Sequence, residues 1–393
     1  MANRRGERRL FLENGRTYFG TGSDLKYTLD LHTRQHRQST ISDVAAAASV
    51  CDHLDNIDFI MSYGLPEDVP QTCIELHQLY AMLTHNSKKS IIMTSFNTDT
   101  LRGMYNMAAV VAGGEERFAQ NPFIVLYGQF ISPFLHTADG LERLIFCAER
   151  RLPVIYIPTI MGGASGPVTM AGSLAVANAE TLAGLVISQL VRKGAPFIYG
   201  GCVMPFDMRD SVVPYGAPEW AMASAVLSQL SMRYRLPVFS TAGCTDSHVV
   251  DSQASIEGTL SILMAALSGA NIIHDVGYLG QGMIGSLEYL VMMDEVIAMV
   301  KRVLSGFTVD RETLALDLID EVGPGGDFFQ TAHTLKHFRS EVWYSQLLTK
   351  TENSGRLEDR ARQRALDILQ QTEPEPLPDE IDRELKRILV AHL

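Results

Sequence analysis

The groups best suited to chemistry sit together between Pro237 and Gln253, in the run Pro-Val-Phe-Ser-Thr-Ala-Gly-Cys-Thr-Asp-Ser-His-Val-Val-Asp-Ser-Gln. It opens apolar, as a buried strand does. It closes on Asp246, Ser247, His248 and Asp251, just before a long helical apolar pattern. A strand that delivers a carboxylate and an imidazole to its C-terminal end is a common layout for an α/β active site. Asp246 and His248 are the candidate catalytic pair. Asp246 reads equally well as a cap on the following helix. An acid and an imidazole so placed would suit proton transfer in a cofactor-free lyase or hydrolase.

Further polar groups recur wherever an apolar run ends. They are Ser62 and Tyr63, Thr94 and Ser95, Tyr127 and Gln129, Thr159, Tyr199, and then His274, Asp275 and Tyr278. The set is rich in phenols and imidazoles and poor in lysine and arginine. Phosphate ligands prefer cations and helix N-termini, so a nucleotide is disfavoured. An aromatic mouth with a few carboxylates suits an organic cation, each ring contributing roughly 0.5–2 kcal/mol. Tyr63, Tyr127, Tyr199 and Tyr278 are the candidate cage, although Tyr127 and Tyr199 could instead fill a core. His274 lies inside a strand run and reads as a structural histidine. His333 and His337 are spaced i, i+4, with no third ligand at a telling distance, so no metal is expected.

Something must hold these strand ends around one centre. Eight apolar runs alternate with helical patterns: 17–24, 57–64, 90–96, 122–131, 153–159, 196–203, the run from Pro237, and 271–279. Thr40 to Asp43 has the form of a capping box opening the first helix. Regular βα alternation implies parallel strands with right-handed crossovers. Eight units predict a (β/α)8 TIM barrel over residues 1–305. The rival open sheet lacks a G-x-G-x-x-G turn after its first strand. Residues 26–39 read as a surface excursion. Residues 306–393 read as a loop and helical extension. Its last helix sets Ile381, Leu385, Ile388, Leu389 and Leu393 on one face, to pack on the barrel or on another subunit.

Composition narrows the partners. The chain has 393 residues, 46% of them hydrophobic, and a net charge of -12. Such a balance argues against nucleic acid and against an anionic membrane surface. Five scattered cysteines without a C-x-x-C pair suggest free thiols in a reducing compartment. The basic start (Arg4, Arg5, Arg8, Arg9) is not followed by an apolar segment, and no uncharged apolar run reaches membrane-spanning length. The expectation is a cytoplasmic protein.

Several stretches together resemble the trimethylamine methyltransferase superfamily, the corrinoid-dependent methylamine and betaine methyltransferases. They are Tyr18-Phe-Gly-Thr-Gly-Ser-Asp24, Asn56-Ile-Asp-Phe-Ile-Met-Ser62, Pro196-Phe-Ile-Tyr-Gly-Gly201 and Tyr215-Gly-Ala-Pro-Glu219. Gly243 to Gln253, Ala270 to Tyr278, and Gly323-Pro-Gly-Gly326 with His333 complete the set. The resemblance implies a TIM barrel that moves a methyl group from an amine to the Co(I) of a separate corrinoid protein. It implies no tightly bound cofactor in this chain, and a homo-oligomer. The trimethylamine enzymes carry pyrrolysine at or beside the stretch 245–248, where this chain has ordinary residues. That difference points to a quaternary amine such as glycine betaine as substrate, with trimethylamine or another methylamine as the alternative. Relatives usually have a further segment upstream of the Tyr18 region, and here it is short.

Under this reading Asp246 offsets the substrate's charge and His248 orients it. Arg209 is a second partner for a substrate carboxylate, and Gln129 and His333 complete the candidate substrate-binding set. A barrel that binds a betaine without turnover, as a sensor or carrier, is the non-enzymatic alternative.

Overall fold

The computed structural model describes residues 1–13, 15–351 and 354–392. Eight parallel strands form the barrel. They are β1 (Tyr18–Phe19), β2 (Phe59–Ile60), β3 (Ser90–Thr94), β4 (Ile124–Phe130), β5 (Val154–Gly162), β6 (Phe197–Gly200), β7 (Val238–Thr241) and β8 (Ile272–His274). Each pairs with its neighbour in chain order. β8 pairs with β1 through Tyr18 and Ile272, and a parallel bridge from Gly20 to Phe59 closes the ring. The closing seam is tight, since a Cβ on Gly20 would lie 2.4 Å from the Phe59 carbonyl oxygen. The (β/α)8 expectation is met.

The outer ring is α1 (Ile41–His53), α2 (Ile74–His85), α3 (Thr98–Ala112), α4 (Ala138–Arg150), α5 (Met170–Val191), α6 (Pro218–Tyr234), α7 (Ser252–Leu267) and α8 (Leu287–Leu304). The Thr40–Asp43 capping box is formed. Asn97, Asp251 and Ser286 accept the N-terminal amide hydrogens of α3, α7 and α8. The cap of α7 is therefore Asp251, not Asp246, which leaves Asp246 free for another task. α5 alone is long and apolar enough to cross a membrane, by length and composition, among the described residues. It packs on β5, with its own Glu180 on the buried side.

The excursion at 26–39 is more ordered than expected. Tyr27–Leu29 and His36–Gln38 form a hairpin. It joins Ile284–Gly285 and Tyr278–Leu279 in a second, four-stranded sheet. This sheet ties the loop after β1 to the loop after β8. The C-terminal helix Leu357–Gln371 packs on α8 and α1, and Asp379–Ala391 packs on α3 and α2 with Leu385 and Leu389 buried. Leu393, the last member of that apolar stripe, lies outside the described residues. The bottom of the barrel is covered by the first residues, where Ala2 and Leu10 are buried and the Ser90 hydroxyl donates to the Ala2 carbonyl at 2.6 Å.

Candidate active site

The C-terminal strand ends surround a cavity of about 360 Å³. Its wall begins at β4. Strand alternation turns Leu126 toward the helices and sends Tyr127 and Gln129 to the barrel axis, where they hydrogen-bond each other. Tyr127 packs against Phe239 and His274 with tilted rings, their centroids 5.2 and 5.9 Å away. Tyr278 closes another side, and its hydroxyl donates to the Ser23 carbonyl at 2.8 Å. Tyr215 and Trp220 meet edge to face at 4.3 Å and complete the aromatic lining with Phe96.

Two carboxylates face this cavity, Asp24 and Asp275. Both sit in the left-handed backbone region, at φ 64° and 74°, which aspartate tolerates better than most residues. Gly22 makes room for the second. A Cβ there would fall 2.1 Å from Asp275 Oδ1 and 2.2 Å from the Tyr278 hydroxyl oxygen. Desolvation pushes the Asp275 pKa up to about 8, and raises that of Asp24 in the same direction.

The histidine beside Asp275 agrees with a protonated acid. His274 Nδ1 lies 2.9 Å from the Ser240 carbonyl, which can only accept, so Nδ1 carries the proton. Burial lowers the His274 pKa to about 4, so its Nε2 is a bare acceptor at neutral pH. Nε2 is 3.3 Å from Asp275 Oδ1. That contact is favourable only when Asp275 supplies a proton. At neutral pH the site therefore holds a neutral acid next to a neutral imidazole.

Among the described residues the one arginine or lysine lining the cavity is Arg143. It is already engaged by Asp139, at 3.2 Å, and by the Ser95 carbonyl. Two buried donors that line the cavity have no protein partner, the hydroxyl of Thr159 and the indole N–H of Trp220, while the Thr94 hydroxyl is turned toward the Asp24 carboxyl. Cys202 also lines it, but burial raises its thiol pKa to about 12. A thiolate nucleophile is therefore not on offer at neutral pH.

The structure brings Tyr127, Gln129 and Tyr278 of the predicted set to one cavity and places the other six elsewhere. Tyr63 is buried in the barrel wall, with its hydroxyl on the Gly277 carbonyl at 3.1 Å. Tyr199 points out of the barrel, to Asn178 of α5 at 2.8 Å and the ring of Tyr234. Its next strand neighbour, not Tyr199, is on the axial side of the pleat. His248 is on an exposed loop beside His36, whose Nε2 is 2.9 Å from the His248 carbonyl. Arg209 is an exposed turn residue. His333, on the helix Ala332–Glu341, is 3.1 Å from the Glu312 carbonyl and remote from the strand ends. Among the described residues no group of three or more His, Cys, Asp or Glu is arranged to hold a metal ion.

Asp246 does not line the cavity, yet it shapes it. Its carboxylate accepts the amide hydrogens of Tyr215 at 2.7 Å and Gly216 at 3.2 Å. Its own amide donates to Glu257 of α7 at 2.9 Å. The first two bonds tie Asp246 to the backbone of the loop that carries Tyr215. Sequence reasoning had placed Thr94, Thr159 and Asp275 at strand ends without assigning them roles, and read His274 as structural. It missed Asp24, Tyr215, Trp220 and Arg143 as lining groups. Asp24 carried a signal in Gly20-Thr-Gly-Ser-Asp24, where two glycines lead a strand into an acid.

A barrel with an aromatic, acid-bearing cavity at its C-terminal strand ends has the form of a small-molecule site. The trimethylamine methyltransferase family, MTTB, matches residues 1–391 of this chain. The trimethylamine methyltransferase MttB of Desulfitobacterium hafniense (strain DSM 10664 / DCB-2) is 32% identical over 94% of this chain and 75% of its own length. The glycine betaine methyltransferase of Desulfitobacterium hafniense (strain Y51) is 31% identical over 94% of this chain and 78% of its own length. The monomethylamine methyltransferase of Methanosarcina barkeri overlays with a TM-score of 0.48 at 13% identity, covering 92% of this chain and 75% of that one. The chain belongs to the trimethylamine methyltransferase family.

Proposed function

We propose that this protein takes a methyl group from a quaternary amine of the betaine type and passes it to the cobalt of a corrinoid carried by a separate protein. The observation that carries the reading is the cavity at the strand ends. Tyr127, Tyr215, Trp220 and Tyr278 wall it, and Asp24 and Asp275 are buried acids poised to give up a proton when a cation binds beside them. Rings and acids of this kind hold a cation that cannot donate a hydrogen bond. The unpartnered Thr159 and Trp220 donors suit the polar or carboxylate end of such a substrate.

The chemistry asks little of acids or bases. A quaternary nitrogen is already positive, so the C–N bond breaks with its electron pair leaving on nitrogen as a neutral tertiary amine. The corrinoid supplies a cobalt nucleophile that forms the new bond to carbon. This chain's residues hold the cation, aim one methyl outward and keep water off the reacting carbon. Exposed Phe96, Ile131, Phe134, Leu135, Val168, Met208, Val249 and Met283 all follow barrel strands at the mouth, an apolar rim suited to a docked carrier protein.

Titration calorimetry with glycine betaine, carnitine, choline and trimethylamine tests the substrate class. Binding of one quaternary amine, lost in Tyr127→Ala, is expected. Binding of trimethylamine alone would move the reading to the methylamine branch of the family. No binding by any of the four would remove the cavity as a cation site.

A further inference from the structure

The cavity at the strand ends is electrically divided. Its donors gather on one side. Arg143 stands on α4, which follows β4, while Thr159 is on β5 and Trp220 is in the first turn of α6. Asp275 and Tyr278 follow β8. In a closed ring of eight strands β4 lies opposite β8, so Arg143 and Asp275 line opposite sides of the cavity. They are not paired with each other. Arg143 forms its ion pair with Asp139 of its own helix, and no cation offsets the desolvation that raises the Asp275 carboxyl.

The arginine is held but not used up. Its Nη1 donates to the Ser95 carbonyl, and its Nη2 lies 3.2 Å from Asp139 Oδ2. A guanidinium has five N–H groups. Among the described residues Nε and the remaining terminal N–H groups have no protein acceptor. The Asp139 side chain is 48% exposed, so water weakens its hold on the guanidinium. The Arg143 side chain is itself only 15% exposed. Its two tethers come from the end of β3 and the start of α4, and they hold the fork in place beside the cavity. An arginine kept only to tie β3 to α4 would have no need to turn unused donors toward a binding cavity.

We infer that Arg143 is the specificity-determining residue of this site: it binds the carboxylate of a zwitterionic substrate whose quaternary nitrogen lies toward Asp275. The inference rests on the quaternary-amine reading above and narrows it to amines that carry a carboxylate. The sequence offered Arg209 for this task, but Arg209 is an exposed turn residue. A planar guanidinium meets a carboxylate through two parallel hydrogen bonds, a match that a hydroxyl or an amide does not offer. The unpartnered Thr159 hydroxyl and Trp220 indole N–H add neutral donors on the same side. An alcohol such as choline gives this wall one weak acceptor in place of a charged partner. The division of the cavity also sets the direction of binding, with the carboxylate toward β4 and the methylated nitrogen toward β8.

Titration calorimetry on the full chain compares glycine betaine with its carboxamide and with choline. The last two keep the trimethylammonium group and lose the negative charge. Glycine betaine is expected to bind roughly thirtyfold more tightly than either, the scale of a hydrogen-bonded charge pair. Arg143→Gln should weaken glycine betaine by the same factor. It should leave choline and the carboxamide within about twofold of wild type, which shows that the variant keeps its cavity. Arg143→Lys should recover only part of the loss, since an ammonium keeps the charge but not the fork. If Arg143→Gln does not fold, the wild-type comparison of the three compounds decides alone. Equal wild-type affinity for glycine betaine and choline would overturn the inference and leave the quaternary-amine reading standing. So would an equal loss of both ligands in Arg143→Gln. Silence from all three compounds would overturn the inference and that reading together.

Discussion

Replacing Asp275 with asparagine separates charge from shape at the cavity. Asparagine keeps the size and tolerates the left-handed backbone at φ 74°. A substrate nitrogen about 5 Å from an ionised Asp275 gains ~3 kcal/mol at an effective dielectric of about 20. The acid must first ionise. Burial sets its pKa at about 8, so at pH 7 deprotonation costs about 1.4 kcal/mol. The net gain at pH 7 is then about 1.6 kcal/mol, or ~15-fold in affinity. At pH 9 the cost vanishes and the advantage over asparagine grows to about 150-fold. The sign follows from the raised pKa: binding releases a proton below pH 8, so affinity rises with pH and levels off above 8. Calorimetry with choline in two buffers of different ionisation enthalpy reads both the affinity and the proton. Its uncharged isostere, 3,3-dimethylbutanol, should show neither effect. A wild-type to variant ratio that stays flat from pH 6 to pH 9, with no proton released, would refute the role given to Asp275.

Other consequences follow from the same geometry. The empty Asp275→Asn protein should be more stable than wild type at pH 8 and about equal at pH 4. The folded acid keeps its proton between the unfolded value of 3.8 and about 8, so wild-type stability falls as pH rises through that window. The difference at pH 8 is at most about 5 kcal/mol, read by denaturant melts. Gly22→Ala should abolish amine binding, because its Cβ would collide with Asp275 and Tyr278. Asp246→Ala should raise the Michaelis constant about tenfold by freeing Tyr215, and His248→Ala should change it little. Iodoacetamide at pH 7 should leave activity intact, since all five cysteines are buried. Leu385→Ala should lower stability by about 2–5 kcal/mol without touching the site.

The barrel was readable because its signal is periodic and repeated. Each apolar run had to be buried on both faces, and the first helix announced its start in the Thr40–Asp43 capping box, whereas the cap of α7 was read at Asp246 and stands at Asp251. The site was readable only as a list of strand ends. Sequence order does not reveal which side of a strand faces the axis, so Tyr127 and Tyr199 looked alike. One residue of register separates them. Nor does it reveal depth. His248 follows a strand but lies past the turn on an exposed loop, whereas His274 is still inside the strand and meets the cavity. Asp246 looked catalytic because of its neighbours, but two amide hydrogens 31 and 30 residues upstream occupy its carboxylate. Tyr215 and Trp220 reach the wall from a loop and a helix start, positions that no strand pattern marks.

The central claim is transfer of a methyl group from a quaternary amine to a corrinoid. The direct measurement is the absorption spectrum of a reduced corrinoid protein mixed with this chain and glycine betaine, carnitine or choline in turn. The account predicts that one quaternary amine converts Co(I) to the methyl–Co(III) form, with one tertiary amine released per methyl transferred, and that Tyr127→Ala abolishes the change. Methylation from trimethylamine with every quaternary amine inert would contradict it.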